Sequence, residues 1–148
     1  MSLEKIATKS VITISPNATV QEAAKTMRDS HVGDLVVVRD WNIPVGIITD
    51  RDIVVSTAAF GIAPDSVKVG DTLASPFVTA KMSDSLPHVL NLMKEHGVRR
   101  IPLVNEEGQL SGIVSTDDIV AYLSDQFSGI SRIIPKQRNI EVKRRPKF

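Results

Sequence analysis

The feature that most constrains this chain is an internal repeat. When its 148 residues are shifted by 66 positions against themselves, residues 11–54 align with residues 77–120 without a gap. The nine identical pairs are Thr13/Thr79, Met27/Met93, Val32/Val98, Val38/Val104, Gly46/Gly112, Ile47/Ile113, Asp52/Asp118, Ile53/Ile119 and Val54/Val120. Unrelated segments of this length would share only about two or three identities at ordinary residue frequencies. The chain is therefore a tandem duplication, and its fold must be built from two similar units.

Each copy has the pattern β-α-β-β-α. Thr19 precedes the first helix, and Glu22, three residues later, completes a predicted capping box. We expect the second helix of the copy to carry Ile53, Val54 and Val55 inward. The elements predicted for the first copy are strands at 11–14, 35–38 and 45–48 and helices that begin at Val20 and near Asp50. Their counterparts in the second copy are strands at 77–80, 101–104 and 110–114 and helices at 86–96 and 116–124.

A single unit of this kind is too small to be stable by itself. About 55 residues with three short strands bury too little apolar surface for an independent core. We therefore expect an α+β fold in which the two copies pack sheet to sheet around a pseudo-twofold axis, with two related clefts between them. The first repeat is assigned to residues 5–64, the second to 65–127, and a basic C-terminal tail to 128–148.

A hydroxyl followed three residues later by a carboxylate occurs in both copies. Thr49 and Asp52 form the first pair, Ser115 and Asp118 the second, and each pair lies at a predicted strand-to-helix junction. One interpretation is purely structural: a helix N-cap with an acid at the positive end of the helix dipole. The other is functional, because an Asp fixed there can accept hydrogen bonds from the two hydroxyls of a ribose, and helix N–H groups attract a phosphate. The occurrence of both pairs at a cleft favours the functional interpretation.

Three stretches together resemble a CBS-domain pair, also called a Bateman module. They are Gly-Ile-Ile-Thr-Asp-Arg-Asp-Ile at 46–53, Gly-Ile-Val-Ser-Thr-Asp-Asp-Ile at 112–119 and Gly-Val-Arg-Arg-Ile-Pro-Leu-Val at 97–104. The resemblance covers roughly residues 5–125. It implies a stand-alone, non-catalytic module that senses an adenosine-containing ligand: AMP, ADP, ATP, S-adenosylmethionine or NAD. It also implies a homodimer that regulates a separate partner protein.

The resemblance further assigns residues to the two clefts. Asp118 and Ser115 would hold the ribose in one cleft, and Asp52 and Thr49 would hold it in the other. Phosphate contacts are implied for Arg100, Arg99 and Arg51. The residues implied for the adenine pockets are Ser15, Val20, Val32 and Gly33 for the Asp118 cleft and Lys81, Leu86 and Val98 for the Asp52 cleft, together with Ile47 and Ile113.

One departure from the family pattern distinguishes the clefts. The position that matches Arg100 in the other copy is Asp34, so a carboxylate replaces the phosphate-facing arginine. The prediction from sequence is that the Asp118 cleft prefers phosphorylated ligands. The Asp52 cleft is then weaker for them or adapted to another adenosyl ligand, unless Arg51 or Lys81 compensates. The alternative is that Arg99 and Arg100 are a solvated pair on an edge strand and contact no phosphate.

The charge of the chain is unevenly distributed. Residues 131–148 carry seven basic side chains and one acid, whereas the preceding residues carry eleven basic and sixteen acidic ones. Such a tail can bind nucleic acid or an acidic protein surface. The alternative is a solvated end, or a strand packed on the body through Ile133, Ile134, Ile140 and Val142. Two further functional hypotheses therefore remain: a ligand-free dimerisation or interaction module, and a nucleic-acid binder that uses the tail.

Composition excludes several other classes of site. The chain has no cysteine, so it contains no disulfide, no thiolate nucleophile and no cysteine-bound metal. Its three histidines are scattered, and no metal site is expected. No apolar run approaches the roughly 18–20 residues of a membrane span, and no targeting stretch opens the sequence, so we expect a cytoplasmic protein without membrane contact. No nucleophile–base signature and no glycine-rich phosphate loop is present, and we expect no enzymatic activity.

Overall fold

The computed structural model describes residues 3–75 and 77–144. In the first copy the elements are β1 (Thr13–Ile14), α1 (Val20–Ser30), β2 (Asp34–Arg39), β3 (Ile43–Thr49) and α2 (Asp50–Ser56). In the second copy they are β4 (Ala80–Lys81), α3 (Leu86–His96), β5 (Arg100–Val104), β6 (Leu110–Ser115) and α4 (Thr116–Ser131), and α5 (Ile133–Arg144) follows. The predicted β-α-β-β-α order is confirmed in both copies.

The two sheets have the same topology and the same irregularity. Each is three-stranded, with its first strand parallel to the second and its second antiparallel to the third. The register shifts between Val37 and Val38 in the first sheet and between Leu103 and Val104 in the second. These two sites are related by the repeat shift, so the duplication preserved a backbone irregularity as well as the side-chain pattern.

The first helix of each copy buries the same face. Val20, Ala23 and Met27 of α1 are buried, and their repeat counterparts in α3 are buried too. The capping box predicted for α1 is present: the backbone N–H of Glu22 donates to Thr19 Oγ1 at 3.1 Å, and the N–H of Thr19 donates to Glu22 Oε2 at 2.7 Å. A local sequence signal therefore sets where α1 begins.

Each copy has its own core, but each core includes a residue from the leading segment of the other copy, the stretch of chain ahead of that copy's first strand. Leu3, before the first repeat, is fully buried in the core of the second copy. Val69, its counterpart 66 residues later, is fully buried in the core of the first copy. Thr8 and Ile113 exchange backbone hydrogen bonds of 2.9 and 3.0 Å, and Val69 donates to the carbonyl of Ala18 at 2.9 Å. The two copies therefore exchange their leading segments reciprocally.

The inward direction predicted for α2 was wrong for two of its three residues. Ile53 packs against the first core, whereas Val54 is 57% exposed and Val55 is 50% exposed. The residue buried with Ile53 is Thr57, which lies four positions later and donates to the Ile53 carbonyl at 2.6 Å. Consecutive residues point to different sides of a helix, so a run of three apolar residues cannot face one core.

The C-terminal segment is helical, so a strand packed on the body was the wrong expectation. Helix α4 continues past the predicted end at 124 to Ser131, and α5 follows. Pro135 stands in the first turn of α5, where a missing N–H costs no helical hydrogen bond. The four apolar residues expected to pack are exposed: Ile133, Ile134, Ile140 and Val142. The final part of the tail, residues 145–148, lies outside the described residues.

Candidate functional site

The hydroxyl–carboxylate pairs form the capping boxes of α2 and α4. Ser115 Oγ donates to Asp118 Oδ2 at 2.6 Å, and the N–H of Asp118 donates back to Ser115 Oγ at 3.1 Å. Thr49 Oγ1 and Asp52 Oδ2 are joined in the same way at 2.8 Å. In both boxes the hydrogen bonds converge on Oδ2, and within the described residues none reaches Oδ1. Each half-buried carboxylate therefore keeps one oxygen able to accept further hydrogen bonds.

The Asp118 cleft lies between the second copy and the first and has a volume of about 330 Å³. The second copy contributes Arg100, Ile113, Ser115, Asp117 and Asp118. The first copy and the segment before it contribute Thr8, Ser10, Val11, Ile12, Val32 and Asp34. A carboxylate at a helix start thus shares a cleft with the apolar side chains of Val11, Ile12 and Val32 from the opposite copy, a combination of polar and apolar groups that is typical of small-molecule sites.

The Asp52 cleft consists of two smaller cavities of about 180 and 110 Å³ that share Ile47, Val98 and Arg100. Thr49 and Arg99 complete the first cavity, and Ala74, Phe77 and Val78 complete the second. Asp52 does not itself line these cavities, but it is bonded to Thr49, which does.

The two clefts occupy equivalent positions in the duplicated fold. Six lining residues of the Asp118 cleft map onto lining residues of the Asp52 cleft by the 66-residue shift: Thr8/Ala74, Val11/Phe77, Ile12/Val78, Val32/Val98, Ile113/Ile47 and Ser115/Thr49. The counterpart of Ser10 is Pro76, which lies outside the described residues. Phe77 is bulkier than its counterpart Val11, and the cavity that it lines is the smallest of the three, at about 110 Å³.

Asp34 and Arg100 are repeat counterparts, and they contact each other. Arg100 Nε lies 3.1 Å from Asp34 Oδ1, and the Asp34 side chain is only 19% exposed. Two positions related by a twofold axis can touch only near that axis, so this ion pair marks where the pseudo-twofold axis passes. Burial raises the pKa of Asp34, the Arg100 guanidinium offsets this in part, and the carboxylates of Asp50 and Asp118 raise it further.

The clefts differ in the charges that line them. Among the residues that the structure describes, three carboxylates, Asp34, Asp117 and Asp118, line the Asp118 cleft against the single guanidinium of Arg100. Arg99 and Arg100 line the Asp52 cleft. Arg99 also lies 3.4 Å from Asp117, but both side chains are 75% exposed, so this pair is weak and screened by salt.

The structure brings together part of the predicted site. Around the Asp118 cleft it gathers Asp118, Ser115, Arg100, Val32 and Ile113. Around the Asp52 cleft it gathers Thr49, Ile47, Val98 and Arg99.

The remaining predicted site residues lie elsewhere. The side chains of Val20 and Leu86 belong to the two cores and are 0% and 6% exposed, so neither forms a cleft wall. Lys81 Nζ pairs with Glu106 Oε2 at 2.6 Å, which raises the pKa of Lys81. Ser15, Gly33 and Arg51 are exposed and line neither cleft as the described residues form them. The compensation proposed for Lys81 or Arg51 thus has no geometric support.

Sequence reasoning missed the segment from Thr8 to Ile12 and its counterpart from Ala74 to Val78. These residues precede or begin the first strand of each copy, where the repeat alignment has no identical positions. The only available signal was their position beside that strand. Reciprocal exchange of the leading segments accompanies a cleft lining that includes Thr8, Ser10, Val11 and Ile12 on one side and Ala74, Phe77 and Val78 on the other.

The described residues contain neither a cluster of metal ligands nor a membrane-spanning helix. No group of three or more His, Asp or Glu side chains in residues 3–75 and 77–144 is arranged to hold a metal ion. No helix in that part of the chain is both apolar enough and long enough to span a bilayer.

Comparison with known proteins identifies relatives over most of the chain. The family model for the CBS domain matches twice, at residues 3–57 and at residues 69–125. The CBS domain-containing protein YhcV of Bacillus subtilis is 34% identical over 140 residues, which cover 94% of this chain and 98% of that protein.

Solved structures show the same architecture. Hypoxic Response Protein I, crystallised with two coordinated zinc ions, superposes with a TM-score of 0.73 at 31% identity, covering 82% of this chain and 98% of that one. The CBS domain pair of protein MJ0100, in complex with 5′-methylthioadenosine and S-adenosyl-L-methionine, superposes with a TM-score of 0.72 at 25% identity, covering 83% of this chain and 99% of that one.

Proposed function

The chain belongs to the CBS-domain family as a CBS-pair regulatory module, and we propose that it senses adenosine-containing ligands in the Asp118 and Asp52 clefts. The observation that carries this proposal is the repeated capping box whose carboxylate keeps one oxygen unbonded within the described residues, at a cleft between the copies. Complexes of the MJ0100 pair with two adenosine-containing ligands support the ligand class.

The proposed binding mode follows from the cleft geometry. The vicinal hydroxyls of a ribose donate to Asp118, which stays fixed because Ser115 and the start of α4 hold its other oxygen. Adenine packs between the apolar side chains of Val32 and Ile113, which come from opposite copies. The Asp52 cleft repeats this scheme with Thr49, Val98 and Ile47.

Binding between the copies supplies a route to regulation. A ligand that contacts both copies stabilises the relative orientation in which both contacts are made. It changes the output only by its differential affinity for two arrangements of the module. The proposed role is therefore that of a sensor without catalysis. The hydroxyls of Thr49 and Ser115 are each hydrogen-bonded to the carboxylate of their own capping box and so have a structural role.

We also propose that the module forms a homodimer through α2 and α4. Val54 on α2 is 57% exposed and Val120 on α4 is 61% exposed, and the two are repeat counterparts. A pair of apolar helix faces related by a pseudo-twofold axis suits an isologous contact with the same pair in a second copy. Light scattering on the double variant Val54→Lys/Val120→Lys should give the mass of a monomer, whereas Leu90→Lys, at an exposed apolar site on α3, should not change the mass. A wild-type monomer would refute this interface.

A thermal-shift panel tests ligand sensing directly. Adenosine, AMP, ATP, S-adenosylmethionine and NAD are added to the wild type and to the double variant Asp52→Asn/Asp118→Asn, which retains the shape of both capping residues. A ligand at 100 times its dissociation constant stabilises by about 2.7 kcal/mol, which corresponds to about 5–10 °C in Tm for a chain of this size. The double variant should lose this shift, and Asp125→Asn, an exposed site on α4, should keep it. Absence of a shift with every ligand on the wild type would overturn the proposed function.

A further inference from the structure

We propose that the two clefts divide adenosine-containing ligands by charge: the Asp52 cleft takes the phosphorylated ligand, and the Asp118 cleft takes a cationic one. This inference rests on the proposed function and reverses the preference that the sequence alone predicts. The reversal comes from one contact that a linear sequence does not display, the ion pair between Arg100 and Asp34 at 3.1 Å.

The Asp118 cleft disfavours a phosphate for two reasons. Its one guanidinium, Arg100, is already paired with Asp34, whose side chain is only 19% exposed. A phosphate would have to displace that carboxylate while Asp117 and Asp118 also line the cleft. Each uncompensated like charge near a protein surface lowers affinity by about tenfold. A sulfonium or ammonium group at the same place on the ligand meets three carboxylates, and the same charges then favour binding.

The Asp52 cleft has the opposite charge balance even when Asp52, its ribose-binding carboxylate in the proposed scheme, is counted with the side chains that line it: two guanidinium groups stand against one carboxylate. Arg99 and Arg100 line the cavity that Thr49 completes. The only ion-pair partner of Arg99 within the described residues is Asp117, at 3.4 Å in a pair that is 75% exposed at both ends. Such a pair contributes little, so the guanidinium exchanges it readily for a phosphate, which it binds with two parallel hydrogen bonds.

Arg100 lines both clefts, so the two sites are coupled. A phosphate in the Asp52 cleft attracts the guanidinium away from Asp34, and the Asp34 carboxylate is then uncompensated in the Asp118 cleft. That carboxylate strengthens binding of a cation and weakens binding of a second phosphate. Because linkage is reciprocal, the cationic ligand must strengthen binding of the phosphorylated one by the same factor.

Single-cleft variants test the division. Asp118→Asn leaves the Asp52 cleft functional, and Asp52→Asn leaves the Asp118 cleft functional. Calorimetric titration with adenosine, AMP and S-adenosylmethionine then gives the affinity of each cleft for an uncharged, an anionic and a cationic probe. We expect Asp118→Asn to bind AMP at least about tenfold more tightly than S-adenosylmethionine, and Asp52→Asn to show the reverse order. Addition of salt should reduce both preferences, because it screens partly exposed charges.

A further substitution isolates the shared ion pair. In the Asp52→Asn background, Asp34→Asn removes a carboxylate from the Asp118 cleft and frees Arg100, so AMP affinity should rise by about tenfold. In the wild type, saturating AMP should raise the affinity for S-adenosylmethionine by about threefold. This is less than the roughly tenfold change expected for one full charge, because Asp34 is partly solvated.

The outcomes separate the two proposals. If adenosine binds to wild type but AMP binds more tightly through the Asp118 cleft, the charge division is overturned and the sensing function stands. If the two clefts show the same order of affinities, the division is likewise overturned. If none of the three probes binds to wild type, the proposed function itself fails.

Discussion

The Asp118 and Asp52 clefts are built from equivalent positions, yet one is roomy and acidic and the other is narrow and basic. The backbone features are shared: both have the capping box, the strand irregularity and the apolar wall. The differences that set the charge and the room of the clefts are in side chains, chiefly Asp34 against Arg100 and Val11 against Phe77. Duplication within one chain thus preserved the geometry of a binding site while allowing its chemistry to diverge.

The position on the pseudo-twofold axis shows why duplication matters. In a symmetric pair of identical chains, a residue on the axis faces a copy of itself, and a charged residue there would meet a like charge. Once both halves belong to one chain, the two counterparts can differ. Asp34 and Arg100 have opposite charges and form an ion pair near the axis, between the two clefts.

The largest effect should come from the exchanged segments that lie beneath each cleft. Leu3→Ala removes a fully buried side chain from the second core and should lower the free energy of unfolding by about 2–5 kcal/mol in urea denaturation. Val69→Ala, its counterpart in the first core, should cost less because fewer methyl groups are lost. If Leu3→Ala costs under about 0.5 kcal/mol, as a surface substitution does, the exchange of segments is wrong.

A smaller and unequal effect should come from the paired glycines behind the clefts. A Cβ at Gly112 would lie 3.0 Å from Met82 Cε and 3.2 Å from the Thr8 carbonyl oxygen, which is held in a backbone hydrogen bond. A Cβ at Gly46 would lie 2.8 Å from Leu73 Cδ1, the end of a flexible side chain. Gly112→Ala should therefore cost about 1–3 kcal/mol and Gly46→Ala less, as measured by urea denaturation. Equal costs would show that the Thr8 backbone moves freely.

The smallest expected effect concerns the pH dependence of stability. The pKa of Asp34 is raised in the folded protein, so the folded state holds this proton at pH values where the unfolded chain has lost it. Stability from this group is therefore lost as the pH rises from the ordinary value of an Asp through the raised one. Asp34→Asn should flatten that part of the curve of unfolding free energy against pH. An unchanged slope would contradict the burial of this carboxylate, and Asp125→Asn, on an exposed helix face, serves as the control.

How much of this could be predicted from the sequence depends on the range of the interactions concerned. The repeat, the strand and helix order and the caps at Thr19, Thr49 and Ser115 were predictable, because they rest on neighbours within a few residues. Which of the three consecutive apolar residues Ile53, Val54 and Val55 faces inward was not, because that depends on how α2 is rotated against the rest of the core.

The contribution of the leading segments and the contact between Asp34 and Arg100 depend on how the two copies meet. Periodicity within one copy carries no information on that arrangement. The repeat alignment does pair Asp34 with Arg100, and a twofold axis through that pair would have predicted their contact.

The exchange of leading segments has a consequence for how the protein is made. Leu3 is synthesised more than a hundred residues before Val114 and Ile119, yet all three are buried in the same core. The second core therefore closes only after both copies have been translated, and contacts of such long sequence separation slow folding. For the same reason an isolated repeat is not a natural unit for expression: cutting the chain between the copies leaves each half with a core that its partner was to complete.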